Sequence, residues 1–255
     1  MNKFHFIFDK TKKARIIKKF FLKKFKNFSP SLANVIIVAG GDGFMLQNLK
    51  KFYKFQKPFY GINCGTFGFL MNKYGYKYLE KKIINSKKIT INPLKIKAID
   101  VNKKKKTSIA INEISLFRQS KQTANLLVKI GKKIIIKKLI GDGILVATPA
   151  GSTAYNLSIS GPILSLDSGK LAVTPISPFR PRRWKGKIVN NLSKIEINNL
   201  NPSKRPVAAV ADNLEMRNIR SIIVQINKKI KLDLLYDNKN SLIKRIKLEQ
   251  KRKNN

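Results

Sequence analysis

Two kinds of patterning along this chain predict an α/β domain followed by a β-rich, antiparallel, sandwich-like domain. The first is an opening series in which continuous β-branched runs end at glycines and hand over to helical spacing. The second, from about Ile89, is a train of short alternating segments separated by polar or lysine-rich turns. The α/β domain is assigned to 1–92, with the C-terminal segment 236–255 a candidate to complete it, and the β-rich domain to 93–235. The chain has 255 residues, 43% of them hydrophobic, which is enough apolar material for one large or two modest cores.

The elements follow in order. Lys3–Phe8 is a short strand, and Thr11–Phe25 has helical spacing with basic residues between its apolar ones. Val35–Ala39 is a continuous apolar strand that ends at Gly40-Gly41-Asp42-Gly43, after which Phe44–Phe52 is helical. Phe59–Asn63 is another strand, ended by Gly65. This order suggests a parallel α/β unit, in which ligands sit beyond the carboxyl ends of the strands. The β-rich part is read as Ile89–Leu94, Lys95–Val101, Ser108–Phe117, Ala124–Ile130, Lys132–Ile136, Ile144–Ala147, Leu171–Pro175, Lys194–Ile197, Pro206–Ala211, Ile219–Ile226 and Ile230–Leu235. Beyond Leu242 a lysine-rich tail follows, frayed or helical. There are no internal repeats.

The formal net charge is +41, from 54 Lys and Arg against 13 Asp and Glu. Such a balance first suggests nucleic acid, because basic residues neutralise phosphates and release counterions. The lysines are spread along the whole chain, however, and no zinc-finger, RNA-recognition or helix-turn-helix signature accompanies them. The abundance of Lys, Ile and Asn fits the codon bias of an AT-rich genome better than a basic patch. Nucleic acid is therefore not the expected partner, and neither is a membrane, since no apolar run spans a bilayer. The positive field would draw in anionic small molecules such as nucleotides. A single cysteine, Cys64, excludes internal disulfides, and a cytoplasmic setting is expected. With one histidine, His5, and one cysteine, a zinc site or a Cys/His nucleophile pair cannot be built.

Three segments carry candidate chemistry. Gly40-Gly41-Asp42-Gly43 is neither a Walker A loop nor a complete G-x-G-x-x-G fingerprint. A carboxylate there can orient a hydroxyl nucleophile and accept its proton; equally, Asp42 can cap the following helix. Asn112-Glu113 lies within the strand Ala110–Phe117, where taken singly a solvent-facing Glu is the simpler account. Asp142 stands between Gly141 and Gly143, as a ligand-facing or a turn residue. Thr148-Pro149-Ala150-Gly151-Ser152-Thr153 follows the strand Ile144–Ala147. Its small residues and hydroxyls allow a polar ligand to approach closely, and Ala154-Tyr155-Asn156-Leu157 resumes a helical pattern at which a phosphate could sit. Tyr155 offers a plane for a base, although a single Tyr on a helix is more often core or boundary. Phe179-Arg180-Pro181-Arg182-Arg183-Trp184 mixes basic and aromatic residues and is read chiefly as a structural or subunit contact.

The order GGDG, GINCGTFGFL (Gly61 to Leu70), AINE (Ala110 to Glu113) and GDG–TPAGSTAYNLSISGP resembles the bacterial NAD kinases, and SPFRPRRW and RPVAAVADNLE resemble their alphaproteobacterial branch. The resemblance runs from about Val35 to Ile226. It implies an N-terminal α/β domain and a C-terminal β-rich domain with the dinucleotide between them. It implies ATP-dependent phosphorylation of the 2′-hydroxyl of the adenosine ribose of NAD, giving NADP. By the same resemblance Asp42 is the proton acceptor and a cofactor contact, Gly43 belongs to the nucleotide loop, and Asn112 and Glu113 hydrogen-bond the adenosine portion. Asp142, Thr153, Ala154, Tyr155, Asn156, Leu157 and Ser158 line the rest of the NAD site. ATP with Mg2+ or another divalent cation is the implied donor, with no protein residue assigned as a metal ligand. A homodimer or homotetramer is implied, with a neighbouring subunit completing the site near Pro175–Ser177. The chain departs from the family at Ile140, where many members carry a basic residue, and at Thr66 and Phe67; the segment before Val35 carries no alignable signal.

Two rivals remain on sequence. Lipid kinases of the diacylglycerol type share the GGDG loop but lack a counterpart of TPAGSTAY. A non-enzymatic basic RNA-binding protein rests on the charge alone.

Overall fold

The computed structural model describes residues 3–66 and 68–237. The expected tail beyond Leu242 and nearly all of the segment 236–255 lie outside the described residues. The chain divides into two compact units, one of residues 1–91 with 230–255 and the other of residues 92–229.

The first unit runs β1 (Phe4–Phe8), α1 (Lys12–Lys24), β2 (Val35–Gly40), α2 (Asp42–Phe52), β3 (Phe59–Asn63), α3 (Leu79–Ile84) and β4 (Lys87–Ile91). The second unit contributes β5 (Leu94–Asp100), β6 (Lys105–Ala110), β7 (Glu113–Arg118), β8 (Ala124–Ile130), β9 (Lys133–Gly141) and β10 (Gly143–Ala147). It continues with α4 (Tyr155–Ser158), β11 (Lys170–Ile176), β12 (Lys187–Asn190), β13 (Ile195–Asn199), β14 (Val207–Ala211), β15 (Leu214–Met216) and β16 (Ile219–Ile226). The chain then returns to the first unit as β17 (Leu232–Tyr236).

In the first unit β1, β2 and β3 pair in parallel, β17 adds in parallel to β3, and β4 closes the edge antiparallel to β17. Every residue of β2 is buried, which explains its unbroken VIIVAG run. Thr11 caps α1 by accepting from the Ala14 N–H at 3.3 Å, and the helix buries Ala14, Ile17 and Phe21 on one stripe. The strand 232–236 was expected in the β-rich part. It pairs instead with β3 and β4, because Leu232, Leu234 and Tyr236 alternate inward in the first sheet.

The second unit is a sandwich of two antiparallel six-stranded sheets, ordered β12-β11-β10-β7-β14-β15 and β6-β5-β16-β13-β8-β9. Inward residues of both sheets, among them Ile96, Leu116, Val146, Val173, Ile197, Ala209 and Ile222, form one core. The β10–β11 pair is covered on its other face too, where Leu145, Ala147, Leu164, Ala172 and Ile176 pack together beneath the 151–164 segment. That double burial accounts for the continuous apolar run of β10.

The expected single strand Ser108–Phe117 is in fact two strands in different sheets, β6 and β7, broken at Ile111-Asn112. A second crossing occurs at Asp142, between β9 and β10. β6 and β9 are the two edges of one sheet, and β7 and β10 are paired neighbours inside the other, with Glu113 opposite Ala147.

Candidate active site

In the first unit the chemistry-bearing group is Asp42, the first residue of α2. Gly40 ends β2 against Phe44, since a Cβ on Gly40 would lie 2.5 Å from the Phe44 ring. The Asp42 carboxylate accepts the Phe69 N–H on Oδ2 at 2.6 Å and the Leu70 N–H on Oδ1 at 3.0 Å. Those donors lie in the GTFGFL segment, which is held to β3 on both sides: Asn72, just beyond it, donates its N–H to Gly61 O and accepts from Asn63 N–H, and Asn63 Oδ1 accepts the Gly65 N–H at 2.9 Å. Two backbone donors, one on each oxygen, fix the plane of the carboxylate. Gly41 and Gly43 face open space, with no atom within 4 Å of an added Cβ. Phe67 lies outside the described residues.

In the second unit Asn112 lies at the bend that breaks β6 from β7, and Glu113 is the first residue of β7. The Asn112 Oδ1 atom is buried and has no hydrogen-bond partner. A buried amide oxygen in that state costs free energy unless something supplies a donor. Glu113 is half-buried beside it.

Asp142 sits at a bend between β9 and β10, where its N–H donates to Ile176 O and its carbonyl accepts from Arg118 N–H, both at 2.9 Å. The flanking glycines serve packing: a Cβ on Gly143 would lie 2.0 Å from Leu116 O, and one on Gly141 2.9 Å from Ser177 O. The Asp142 carboxylate pairs with Arg118 Nε at 2.5 Å, while Arg118 Nη1 donates to Ser120 O. Ile140 backbone groups exchange bonds with Arg180, which places the Phe179–Trp184 segment alongside this crossing.

The 148–161 segment differs most from its expectation. The Thr148 hydroxyl donates to Ile111 O and accepts from Gly151 N–H, and the Ser152 hydroxyl donates to Pro149 O and accepts from Leu164 N–H. Both hydroxyls are therefore committed inside the protein and do not face a ligand. Asn156, expected to contact the dinucleotide, is wholly buried. Its amide donates to Ser152 O and Pro162 O and its Oδ1 accepts from the Thr174 hydroxyl, so the side chain ties the loop to β11. The helix that follows spans only Tyr155–Ser158, too short to present a helix-terminal anion site. Thr153 is buried, Ala154 and Leu157 are half-buried, and Tyr155 and Ser158 are exposed. The Tyr155 ring lies 5.7 Å from that of Phe117. Its phenol is pushed above the usual tyrosine range by burial first, then by the negative charges of Asp142 and Glu113, which puts all three acids in one neighbourhood.

Residues that the sequence alone did not single out complete this picture. Asp212, in the two-residue turn between β14 and β15, accepts from the N–H groups of Ile111, Asn112 and Glu113. Arg118 is the ion-pair partner of Asp142. An Asp-Asn pair between two apolar runs was the available signal for the first; only strand pairing reveals the second.

A carboxylate fixed at the carboxyl end of a parallel strand lies where α/β proteins take their ligands, among them nucleotides. The chain matches the models of the ATP-NAD kinase N-terminal domain over residues 2–81 and the ATP-NAD kinase C-terminal domain over residues 111–228. The N-terminal match starts well before Val35, so the opening segment does carry family signal. The chain is 47% identical to an NAD kinase of Zymomonas mobilis over 232 residues, covering 90% of each chain. It is 44% identical to one of Caulobacter vibrioides, covering 89% of this chain and 87% of that one. In fold it resembles an NAD kinase from Archaeoglobus fulgidus in complex with ATP, with TM-score 0.74 and 21% identity over 93% of this chain and 94% of that one. It equally resembles yeast NADH kinase complexed with NADH, with TM-score 0.74 and 24% identity over 88% and 68%. The chain belongs to the ATP-NAD kinase family, a family of phosphotransferases.

Proposed function

We propose that this chain transfers the γ-phosphoryl group of ATP to the 2′-hydroxyl of the adenosine ribose of NAD, giving NADP and ADP. The observation that carries the reading is 47% identity to an NAD kinase along 90% of both chains. In the reaction the ribose oxygen forms a bond to the γ-phosphorus, the bond from that phosphorus to the β,γ-bridging oxygen breaks, and the hydroxyl proton goes to Asp42. Phe69 and Leu70 N–H groups hold that carboxylate in one orientation, and Gly43 belongs to the nucleotide loop. Asn112 and Glu113 hydrogen-bond the adenosine portion, which supplies a donor to the buried Asn112 Oδ1. Tyr155 stacks, Asp142 is held by Arg118, and Thr153, Ala154, Leu157 and Ser158 line the remainder, with Asn156 in a supporting role.

Among the described residues no three His, Cys, Asp or Glu side chains come together in a way that could hold an ion. The donor set thus suits a divalent cation carried mainly by the ATP phosphates, which it would neutralise. No described helix is long and apolar enough to cross a membrane. A cytoplasmic homodimer or homotetramer is the proposed state of the protein, and light scattering on the purified chain measures its size.

A coupled assay for NADP formation tests the activity, run with NAD and NADH and with ATP and polyphosphate as donors. NADP from NAD and MgATP is the expected outcome; no product with any pair would overturn the assignment.

A further inference from the structure

The Ile111–Glu113 crossing has a complete backbone account. The N–H groups of Ile111, Asn112 and Glu113 donate to the Asp212 carboxylate at 2.8, 2.9 and 3.3 Å. The Ile111 carbonyl accepts the Thr148 hydroxyl at 2.7 Å, the Asn112 carbonyl accepts Thr148 N–H at 2.9 Å, and the Glu113 carbonyl accepts Asp212 N–H at 3.1 Å. All six polar groups of three consecutive residues are thus taken by two residues from distant parts of the chain. Gly151 seals the other side, since a Cβ there would lie 2.1 Å from Asn112 O.

A turn secured only for stability needs no such arrangement, because strands of a sandwich usually cross between sheets through solvated loops. Here the backbone has no remaining hydrogen-bonding demand, yet the side chain it carries ends in a buried, partnerless oxygen. Asp212 itself has φ +53°, a conformation that Asp and Asn adopt more readily than most residues.

We propose that Asp212 is a positioning residue for dinucleotide binding: with Thr148 it forms a backbone clamp that presets Asn112 and Glu113 before the adenosine arrives. The inference rests on the assignment of that pair to NAD made above. Three converging N–H donors call for an acceptor-only group, so Asp212→Asn turns an amide donor toward another donor and loosens the turn without changing its size. Binding suffers and the phosphoryl-transfer step, served by Asp42, does not.

The test is a double-mutant cycle on the full-length protein with Asp212→Asn and Asn112→Ala, reading the NAD dissociation constant by calorimetry and kcat at saturating NAD. Asn112→Ala is expected to weaken NAD binding, and Asp212→Asn to weaken it about tenfold, the size of one coupling between neighbours. The pair together is expected to lose little more than the worse single variant, with kcat for Asp212→Asn within about twofold of the parent. Additive losses, an unchanged dissociation constant for Asp212→Asn, or an equal fall in kcat would overturn the clamp while leaving the NAD assignment standing. An unchanged dissociation constant for Asn112→Ala in an enzyme that still makes NADP would overturn the assignment of Asn112 and the clamp's purpose with it. If Asp212→Asn does not fold by circular dichroism, Thr148→Val decides by the same cycle, since it removes the other jaw's hydroxyl at constant shape.

Discussion

Two glycine-rich segments of this protein, one in each unit, look alike on paper and behave oppositely in the structure. Around Asp42 the glycines at 41 and 43 face open space and the single carboxylate is held from outside by the Phe69 and Leu70 amides. Around Thr148–Gly161 the glycines are packed hard, at 2.1 Å from Asn112 O for Gly151 and 2.2 Å from Asn156 Oδ1 for Gly161, and the hydroxyls and amide are consumed internally. Small polar residues thus serve exposure in the first case and density in the second. A substitution in the first region should remove function from a folded protein; one in the second should unfold or distort it.

The largest effect that would test this contrast is Asp42→Asn. NAD binding and melting temperature should stay close to the parent, while kcat falls ~10²–10⁴-fold, the usual contribution of a positioned base. Near-normal turnover would remove Asp42 from the proton-acceptor role. Next come the glycines, compared as a pair. Gly151→Ala should destabilise the fold by about 1–3 kcal/mol, as overpacking against a backbone carbonyl does, whereas Gly43→Ala should melt with the parent. Equal melting temperatures in a thermal scan would erase the distinction drawn between the two segments.

Asn156→Ala should fall in the same range, about 1–3 kcal/mol, because it strands the Thr174 hydroxyl and the Ser152 and Pro162 carbonyls in the interior. Denaturant titration measures this, and an unchanged stability would remove Asn156 from the structural role. Arg118→Ala should change stability by less than about 1 kcal/mol, since the Asp142 pair is partly exposed and screened.

A pH-dependent effect concerns Cys64, which is buried in the first unit. Burial pushes its thiol from an ordinary 9.0 up to about 11, with Lys13 opposing. An acid whose folded pKa is raised lends stability below the unfolded value and loses it as pH rises through the folded one. Stability should therefore decline between about pH 9 and 11 by a step that Cys64→Ala lacks. Identical pH profiles for parent and variant would show that the thiol titrates alike in both states.

Much of the fold is legible in the sequence because local physics dominates it. β2 and its glycine terminus, α1 with its Thr11 cap, and the alternating strands of the sandwich follow from burial period and turn chemistry. Local patterning fails where a strand changes sheets. The run Ser108–Phe117 stays apolar through Ile111, so nothing local marks the break at Asn112; Asp212, a hundred residues on, makes it. The same holds for β17, whose alternation fits either sheet and whose place is decided by pairing with β3 and β4.

By itself the sequence determined the order of elements, the absence of disulfides and the residues able to do chemistry, because composition and short-range spacing are enough for these. Only the tertiary structure decided which polar atoms of the TPAGSTAYN segment remain for a ligand. Hydroxyls and amides look equally available in a sequence, but a hydrogen bond has two ends, and the partners of Thr148, Ser152 and Asn156 come from Ile111, Leu164 and Thr174. The segment that reads as the most open part of the chain is among its most tightly bonded, and a buried acceptor without a partner lies next to it, on Asn112.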